Sequence, residues 1–428
     1  MTSSIGRLGV CEAAALIAAG KLSCVELTEA CLARIAARES IVHAWEYIDP
    51  DAALAQARMR DGAARRGPLH GIPIGIKDII DTAAMPTAYG SPIYRGFRPA
   101  RNAACVERLL ESGAVILGKT VTTELANRFP GKTANPVNPR HTPGGSSSGS
   151  AAAVADFMVP AALGTQTTGS VIRPAAYCGI FGYKPSFGAF DTAGVKQLSP
   201  SLDTLGLMSR SVADIERVAS VLAGRPLQSL DQFDRTAPRV AVCRTPAWPW
   251  VEQASRDALD NAVALLERTG TSLEKNWDRD GELAGLIEAQ KTIMAVETAR
   301  SLAPEYREQR EHLSASLQAL VEYGIGQHEQ TYADALTLAG AARAQIQRIF
   351  GEFDAIITPS SAGEAPAGLD NTGEPVFNAI WTLVHAPCVT VPLMTAASGL
   401  PVGVQIVGRP GEDGKTLAVA QWLAASNV

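Results

Sequence analysis

The fold expected of this chain follows first from residues 141–186, HTPGGSSSGSAAAVADFMVPAALGTQTTGSVIRPAAYCGIFGYKPS. Its Gly/Ser run at 144–150 has the composition of a flexible connector and by itself indicates little about function. The small apolar residues at 151–155 are typical of a buried helix, so the run is predicted to form a tight strand-to-helix turn. Backbone N–H groups at a helix start can bind developing negative charge, which suits such a turn to catalysis.

An isolated lysine, Lys77, lies in the apolar stretch GIPIGIKDII at residues 71–80. Burial among the isoleucines would disfavour the charged ammonium and move Lys77 towards a neutral amine that accepts protons. If residues 72–80 form a strand, Asp78 faces away from Lys77. A lone buried lysine is more often one half of a structural ion pair, and the lysine alone leaves that alternative open.

Two serine-containing segments accompany this lysine, with Ser146 in the Gly/Ser run and Ser170 in the segment TTGS. A serine hydroxyl is a poor nucleophile at neutral pH and must pass its proton to a base within hydrogen-bond reach. The six histidines have no HxxxH or HxH spacing that would favour a zinc hydrolase. The pattern predicts a serine hydrolase that uses no histidine and no metal.

Residues 68–210 resemble the amidase signature family. The segments that carry the resemblance are PLHGIPIGIKDII (68–80), AVILGKTVTTELA (114–126) and the stretch quoted first, and it extends to FDAIITPS (353–360) and GLPVGVQIVGRPGED (399–413). The match is weak only between about 225 and 350. The resemblance implies an α/β fold in which a single large mixed β-sheet of about eleven strands is covered by helices on both faces.

The resemblance also implies a role for each matching side chain. Ser170 is the expected nucleophile, Ser146 the bridging serine and Lys77 the terminal base. The bridging serine is expected to follow a cis peptide bond between Gly145 and Ser146, which glycine makes sterically tolerable. No metal ion or organic cofactor is implied.

The oxyanion hole is expected from the backbone N–H groups of Thr167, Thr168, Gly169 and Ser170. Most family members have two glycines before the nucleophile, whereas here the first is Thr168. A β-branched residue resists positive φ and adds bulk. Either the loop has φ below zero at Thr168, or the oxyanion hole is altered.

The arginine after the nucleophile lies three residues on, at Arg173, where most family members have it two residues on. This spacing is similar to the malonamidase branch, in which the arginine holds the free carboxylate of a small dicarboxylic monoamide. A structural ion pair with Asp191 or Asp203 is the alternative. The residues expected to bind substrate are Arg173, Thr123, Gly144 and Gly145.

Composition agrees with an enzyme that has a large core. The chain has 428 residues, of which 46% are hydrophobic, and a net charge of −5, which gives no basic surface for nucleic acid or anionic membrane. The seven cysteines lack CxxC pairs and suit buried positions in a reducing cytoplasm. The N-terminal region has no uncharged segment long enough for a signal peptide or membrane span. The expectation is a cytoplasmic protein whose partner is a small amide, without nucleic acid or membrane; a homodimer is compatible with the sequence.

Residues 1–428 are expected to form a single amidase domain, with 68–210 as the signature core. Residues 250–350 are expected to be a helical, variable region that covers the substrate site, and Trp381 a core residue. Helices are also predicted over 9–40, with Ser23 as an N-cap, and over 51–66. Short buried strands are predicted at 115–117, 240–242, 355–357 and 402–406.

Three functions are compatible with these residues. The first is an amidohydrolase that cleaves a small linear amide, or a carboxylated urea, to an acid and ammonia or an amine. The second is the glutaminase (A) subunit of a tRNA-dependent amidotransferase, in which the same triad releases ammonia. The third is a catalytically silent binding protein, which only Thr168 favours, while Lys77, Ser146 and Ser170 argue against it.

Overall fold

A computed structural model describes residues 5–427 of the chain except 232, 234, 235, 276 and 278–280. The described part contains eleven strands: β1 (Trp45–Ile48), β2 (Pro73–Lys77), β3 (Val115–Thr120), β4 (Ala161–Gln166), β5 (Phe181–Lys184), β6 (Thr204–Ser209), β7 (Arg239–Val242), β8 (Ser272–Glu274), β9 (Ala355–Pro359), β10 (Cys388–Thr395) and β11 (Pro401–Val407).

Fourteen α-helices lie in the same described residues: α1 (Val10–Ala18), α2 (Cys24–Val42), α3 (Pro50–Asp61), α4 (Ala104–Glu111), α5 (Ser148–Ala155), α6 (Ile172–Cys178), α7 (Val212–Ala223), α8 (Gln253–Arg268), α9 (Leu286–Ser301), α10 (Ala303–Glu308), α11 (Ala315–Ile325), α12 (Glu329–Ile349), α13 (Val376–Leu383) and α14 (Asp413–Ala425). Short 3₁₀ turns are at Pro92–Tyr94, Glu124–Ala126, Trp248–Trp250 and Arg310–His312.

The eleven strands form one mixed sheet in the order β1-β3-β2-β4-β6-β5-β10-β11-β9-β7-β8. Parallel pairs join β2 to β3 and β4, and β7 to β8 and β9, while the remaining neighbours run antiparallel. Strands β1–β6 therefore make one half of the sheet and β7–β11 the other, and the halves meet where β5 pairs with β10. The predicted α/β fold is confirmed.

Both faces of the sheet are buried. In β9, Ala355 and Ile357 belong to one hydrophobic cluster and Ile356 belongs to another. Because successive side chains of a strand point to opposite faces, the two clusters lie on the two sides of the sheet. This double burial explains why strands such as β2, β3 and β9 contain runs of adjacent apolar residues without polar alternation.

Local signals account for several element boundaries. The predicted helical region 9–40 consists of two helices, and Ser23 caps the second, α2, as predicted. Its hydroxyl accepts from the Glu26 N–H at 3.1 Å, while Glu26 accepts from the Ser23 N–H at 2.8 Å. The predicted helix over 51–66 ends earlier, at Asp61, and Gly62 follows it. All four of the short buried strands lie where they were predicted.

Two expectations around the central stretch need correction. The strand predicted over 72–80 stops at Lys77, because the Ile80 N–H turns back to donate to the Lys77 carbonyl at 3.0 Å. The Gly/Ser run follows irregular chain instead of a strand, since β3 ends at Thr120 and α5 begins only at Ser148. The run is thus a loop-to-helix turn.

The region 250–350 is mostly helical, as predicted, and contains α8 to α12. The short strand β8 within it was not predicted, since three residues give too little periodicity to recognise. Trp381 on α13 is fully buried and packs in the core, in agreement with its predicted role.

The seven cysteines form no disulfide bond in the described structure, and six of them are buried. The helices that the structure describes include none long and apolar enough to cross a membrane. The single domain spanning 1–428 and the cytoplasmic location stay predictions.

Candidate active site

Lys77 ends β2 with its side chain fully buried. Its Nζ lies 2.7 Å from Ser146 Oγ and 2.8 Å from Thr165 Oγ1, and it has no salt bridge to any described residue. Burial lowers the pKa of Lys77 to about 7, against a smaller opposing effect of the Asp203 charge. A substantial fraction of the amine is therefore neutral at physiological pH and able to accept a proton.

Ser146 reaches Lys77 from a turn that requires two glycines. The Gly145-Ser146 peptide bond is cis, as the resemblance implies, and Gly144 has φ +80°. A side chain at Gly144 would approach Pro174 to 2.9 Å, and one at Gly145 would approach Thr372 Cγ2 to 2.8 Å. The turn is thus packed so closely that only glycine fits before Ser146.

Ser170 lies between β4 and α6 and is half-buried at the wall of a cavity. The Ser147 N–H donates to the Ser170 carbonyl at 3.3 Å, which ties the two serine-bearing turns together. Among the described residues, no hydrogen bond joins the Ser170 hydroxyl to Ser146. The structure thus hydrogen-bonds Lys77 to Ser146 and places Ser170 on the neighbouring turn, but the hydrogen bond between the Ser170 and Ser146 hydroxyls is not formed in the described structure.

The loop 167–170 presents its backbone N–H groups without a partner elsewhere in the described chain. The next two N–H groups, of Val171 and Ile172, both donate to Gln166 Oε1, at 2.9 and 3.0 Å. Thr168 is not among the described residues with positive φ, so the first of the two alternatives holds and the backbone accommodates a β-branched residue.

Three residues absent from the sequence predictions contact the neighbourhood of this loop. Gln290 Nε2 on α9 donates to the Thr167 carbonyl at 3.1 Å and to Thr168 Oγ1 at 2.9 Å, while Thr382 Oγ1 on α13 donates to the Thr168 carbonyl at 2.8 Å. Met294 accepts from Thr168 Oγ1 at 3.3 Å. The only sequence signal for these contacts is the unusual Thr168 itself.

Arg173 lies in α6 and is 4% exposed. Its Nη2 donates to the Gly145 carbonyl at 2.8 Å and to Thr372 Oγ1 at 3.3 Å, whereas Nε and Nη1 have no partner in the described structure. The alternative ion pair with Asp191 or Asp203 does not form. Burial lowers the pKa of Arg173 to about 10, so the guanidinium stays charged at neutral pH.

Asp203, which the sequence left open as an ion-pair partner of Arg173, binds the loop before Ser170 instead. Its carboxylate accepts from Thr167 Oγ1 and from the N–H groups of Leu198 and Ser199. Burial raises the pKa of Asp203 to about 6, against the lowering effect of these donors. Asp203 therefore fastens the start of the loop that leads to Ser170.

The cavity beside Ser170 has a volume of about 220 Å³. Its wall combines the loop 167–170 and Arg173 with one side of α9, and the exposed ion pair of Arg128 and Glu374, 2.6 Å apart, lies at its edge. The residues that α9 contributes are Ile287, Gln290, Lys291 and Met294. No group of three or more His, Cys, Asp or Glu among the described residues is arranged to hold a metal ion.

The other residues expected at the substrate lie behind this wall. Thr123 is fully buried and donates to the Asn127 carbonyl at 2.6 Å, and Gly144 and Gly145 form the turn before Ser146. None of the three lines the cavity. Their assignment as substrate-binding residues stays a prediction.

A second buried lysine, Lys119, lies on the adjacent strand β3. Its Nζ donates to the Ile80 carbonyl and to Thr87 Oγ1, both at 2.6 Å, and is 3.3 Å from Asp78 Oδ1. The predicted orientation of Asp78 is therefore correct, because this carboxylate faces Lys119 and not Lys77. Lys119 itself was not singled out from the sequence.

Curated relatives match nearly the whole chain. The (A) subunit of the glutamyl-tRNA(Gln) amidotransferase of Chloroflexus aggregans is 35% identical, and the alignment covers 96% of this chain and 95% of the relative. The protein of the same name from Anaeromyxobacter dehalogenans is also 35% identical and covers 97% of this chain and 96% of its own length.

These relatives contradict the expected partners. The sequence led us to expect a small amide as the only partner and to exclude nucleic acid, yet the relatives are named as one subunit of an amidotransferase and their name includes a tRNA. Net charge was the basis of the exclusion. Net charge is a sum over the whole chain and does not describe the charge of any one surface.

Solved structures and a family model agree with each other. A structure described as an amidase superimposes with a TM-score of 0.89 at 30% identity, covering 98% of this chain and 100% of that one. Native peptide amidase from Stenotrophomonas maltophilia superimposes with a TM-score of 0.84 at 29% identity and covers 98% and 97%. The amidase family model matches residues 26–417. The chain therefore belongs to the amidase family, the amidase signature enzymes that act on C–N bonds.

Proposed function

We propose that the protein cleaves a small linear amide through an acyl-enzyme on Ser170, with Ser146 and Lys77 as the proton relay. The observation that carries the proposal is the fully buried Lys77, which has no carboxylate partner among the described residues and lies 2.7 Å from Ser146 Oγ. A desolvated amine next to a hydroxyl is the arrangement that general-base activation of serine requires.

In the proposed reaction, Ser170 Oγ attacks the amide carbonyl as its proton passes to Ser146 and the proton of Ser146 passes to neutral Lys77. The N–H groups of the loop 167–170 then stabilise the oxyanion, and one such donor is typically worth about 2.7–4 kcal/mol. The relay returns the proton to the departing nitrogen, and the C–N bond breaks. Water attacks the acyl-enzyme through the same relay and releases the acid.

For the acyl group, we propose a substrate that carries a free carboxylate bound by Arg173. The guanidinium is buried beside the cavity, and two of its three nitrogens lack a partner in the described structure. Leaving a buried charge without an anion is costly, and a planar guanidinium matches a carboxylate with two parallel hydrogen bonds. A malonamate-like monoamide supplies both the amide and the carboxylate.

A second candidate is the glutaminase step of a tRNA-dependent amidotransferase. It is favoured by the relatives named as the (A) subunit of such an enzyme, which align over nearly the whole chain. Glutamine also combines a primary amide with a carboxylate, so the same chemistry at Arg173 serves this substrate. The two candidates differ in where the ammonia goes and in which acid remains.

The test is ammonia release by the purified protein from malonamate, glutamine, propionamide and benzamide. Ser170→Ala is expected to abolish release from every substrate while the circular-dichroism spectrum stays unchanged. Arg173→Met should raise KM about 10- to 100-fold for malonamate or glutamine, as expected for a lost hydrogen bond to a charged group, and leave propionamide within about threefold. Turnover by Ser170→Ala would overturn the nucleophile, and equal effects on propionamide would make Arg173 structural.

A second experiment separates the two candidates. The chain is mixed with the remaining subunits of a glutamyl-tRNA(Gln) amidotransferase, glutamyl-tRNA(Gln) and glutamine, and glutaminyl-tRNA is measured. Glutamine hydrolysis that rises in this mixture, together with amidated tRNA, supports the amidotransferase role. Malonamate hydrolysis without amidated tRNA supports the hydrolase of small carboxylated amides.

A further inference from the structure

We propose that Gln290 is a positioning residue that aims the backbone N–H groups of Thr168 and Gly169 at the reacting carbonyl. The inference rests on the proposed Ser170 chemistry and adds a residue from α9, in the part of the chain where the family resemblance is weakest. Gln290 is 2% exposed and lines the cavity, so its amide is held inside the protein next to the loop.

Gln290 fixes the orientation of the peptide unit between Thr167 and Thr168. In a planar trans peptide, the carbonyl and the following N–H point in opposite directions. Gln290 Nε2 donates to the Thr167 carbonyl at 3.1 Å, so the N–H of Thr168 points away from Gln290. Fixing an acceptor on one side of the peptide thereby fixes the donor on the other.

The next peptide is held in the same way from a different helix. Thr382 Oγ1 donates to the Thr168 carbonyl at 2.8 Å, so the N–H of Gly169 points away from α13. The carbonyls of Thr167 and Thr168 thus accept hydrogen bonds from Gln290 on α9 and Thr382 on α13, respectively. The donors of the loop are oriented before substrate arrives, which is the condition for effective oxyanion stabilisation.

Thr168 provides a second hydrogen bond between Gln290 and the loop. Its hydroxyl accepts from Gln290 Nε2 at 2.9 Å and donates to Met294 Sδ at 3.3 Å. A glycine at this position would have no group for the second bond of Gln290. The departure from the family pattern at Thr168 therefore has a structural partner on α9.

Gln290→Ala and Gln290→Glu are the variants that test this role. A shift of about 1 Å at reacting groups can reduce turnover about 100-fold, so we expect kcat to fall about 10- to 100-fold with KM within about twofold. The glutamate keeps the shape but presents an acceptor to the Thr167 carbonyl, and its loss should equal or exceed that of alanine. Gln330→Ala, the same substitution at an exposed position on α12, is the matched control and should keep the wild-type kcat.

A second readout separates positioning from simple destabilisation. A trifluoromethyl ketone analogue of the substrate forms a tetrahedral oxyanion adduct with a serine nucleophile. Its affinity should fall in each Gln290 variant by the same factor as kcat/KM, while substrate KM and the melting temperature change little. Thr168→Gly should lose less than Gln290→Ala, because the bond from Gln290 to the Thr167 carbonyl remains.

The outcomes for the inference and for the proposed function are distinct. If Ser170→Ala is inactive and both Gln290 variants keep kcat within twofold of wild type, Gln290 has no positioning role. If Gln290→Ala does not fold, Gln290→Asn, a shorter amide, provides the same comparison. If Ser170→Ala remains active, the proposed function fails whatever the Gln290 variants do.

Discussion

Two lysines on neighbouring strands are equally buried and face different partners. In the parallel pairing of β2 with β3, Lys119 lies opposite Ile76 and Lys77 opposite Thr120. Lys119 contacts the Asp78 carboxylate, a hydroxyl and a carbonyl. Among the described residues, Lys77 Nζ donates hydrogen bonds only to hydroxyls, those of Ser146 and Thr165.

Burial alone does not distinguish a catalytic base from a structural lysine. Burial lowers the pKa of Lys77 to about 7 and that of Lys119 to about 8, a similar direction and size. The partners differ in what they can do with a proton: Asp78 holds Lys119 in an ion pair, whereas the hydroxyl of Ser146 can give and receive one. The structural ion pair that the sequence left open for Lys77 is thus realised by its neighbour.

Removing the proposed base, Lys77, should reduce activity more than any other substitution of the residues around it. Lys77→Met should lower kcat/KM by at least about 10³-fold, since general-base catalysis contributes about 10²–10⁴ and the nucleophile depends on it. Replacing a buried lysine with an apolar side chain of similar volume should leave folding nearly unchanged. Activity within tenfold of wild type, with an unaltered melting curve, would exclude Lys77 as the base.

The same substitution at Lys119 should show the opposite pattern. Lys119→Met leaves the Asp78 carboxylate buried without its cation, which typically costs about 3–5 kcal/mol of unfolding free energy. Urea unfolding measures the loss, and Asp78→Asn in the same chain should recover part of it. At urea concentrations well below its unfolding midpoint, Lys119→Met should have a kcat near that of the wild type. A catalytic defect as large as that of Lys77→Met would remove the distinction between the two lysines.

The pH dependence of turnover should reflect Lys77 and not Lys119. Only neutral Lys77 accepts a proton, so kcat/KM should rise with pH through about 7 and fall about tenfold per pH unit below it. Lys119→Met should leave this acidic limb in place. A profile that is flat between about pH 5.5 and 8 would show that the group titrating as Lys77 is not needed for turnover.

Thr165→Val should give the smallest effect, since it removes one of the two hydroxyls near Lys77 Nζ. A lost hydrogen bond is worth about 1 kcal/mol, so we expect a severalfold decrease in kcat. Because a hydroxyl oxygen accepts from the ammonium and favours the charged form, its loss should also move the acidic limb to lower pH. A shift to higher pH would contradict the assigned hydrogen-bond direction.

The sequence predicted the parts of the protein that depend on local pattern. Strand β9 begins with the apolar run Ala355–Ile357, and Ser23 with Glu26 is a capping box that is recognisable from spacing. The resemblance to the amidase signature family implied that Lys77 and Ser146 meet, and Lys77 Nζ lies 2.7 Å from Ser146 Oγ. Local pattern therefore predicted individual strands and a helix cap, whereas the single large sheet and the proposed relay followed from the resemblance.

The sequence did not predict contacts made by isolated polar residues on helices. Gln290 and Thr382 are single residues without a motif, and only tertiary packing brings them to Thr168 from positions more than 100 residues away. The same limit applies to Arg173, which pairs with neither Asp191 nor Asp203 in the described structure because of where those two residues lie. Their places follow from how the elements pack, which spacing along the chain does not encode.

The junction of β5 with β10 has a consequence for a chain still leaving the ribosome. Within each half of the sheet, strands pair with others from the same half, whereas at the junction Lys184 must find Cys388 across a long stretch of chain. Closing so long a loop is slow and entropically costly. Thr382 lies just before β10 in the sequence and is therefore synthesised late. A nascent chain already contains Lys77, Ser146 and Ser170 while the Thr168 carbonyl still lacks the hydrogen bond from Thr382. The loop before Ser170 can therefore reach its final hydrogen bonding only after nearly the whole chain has been synthesised.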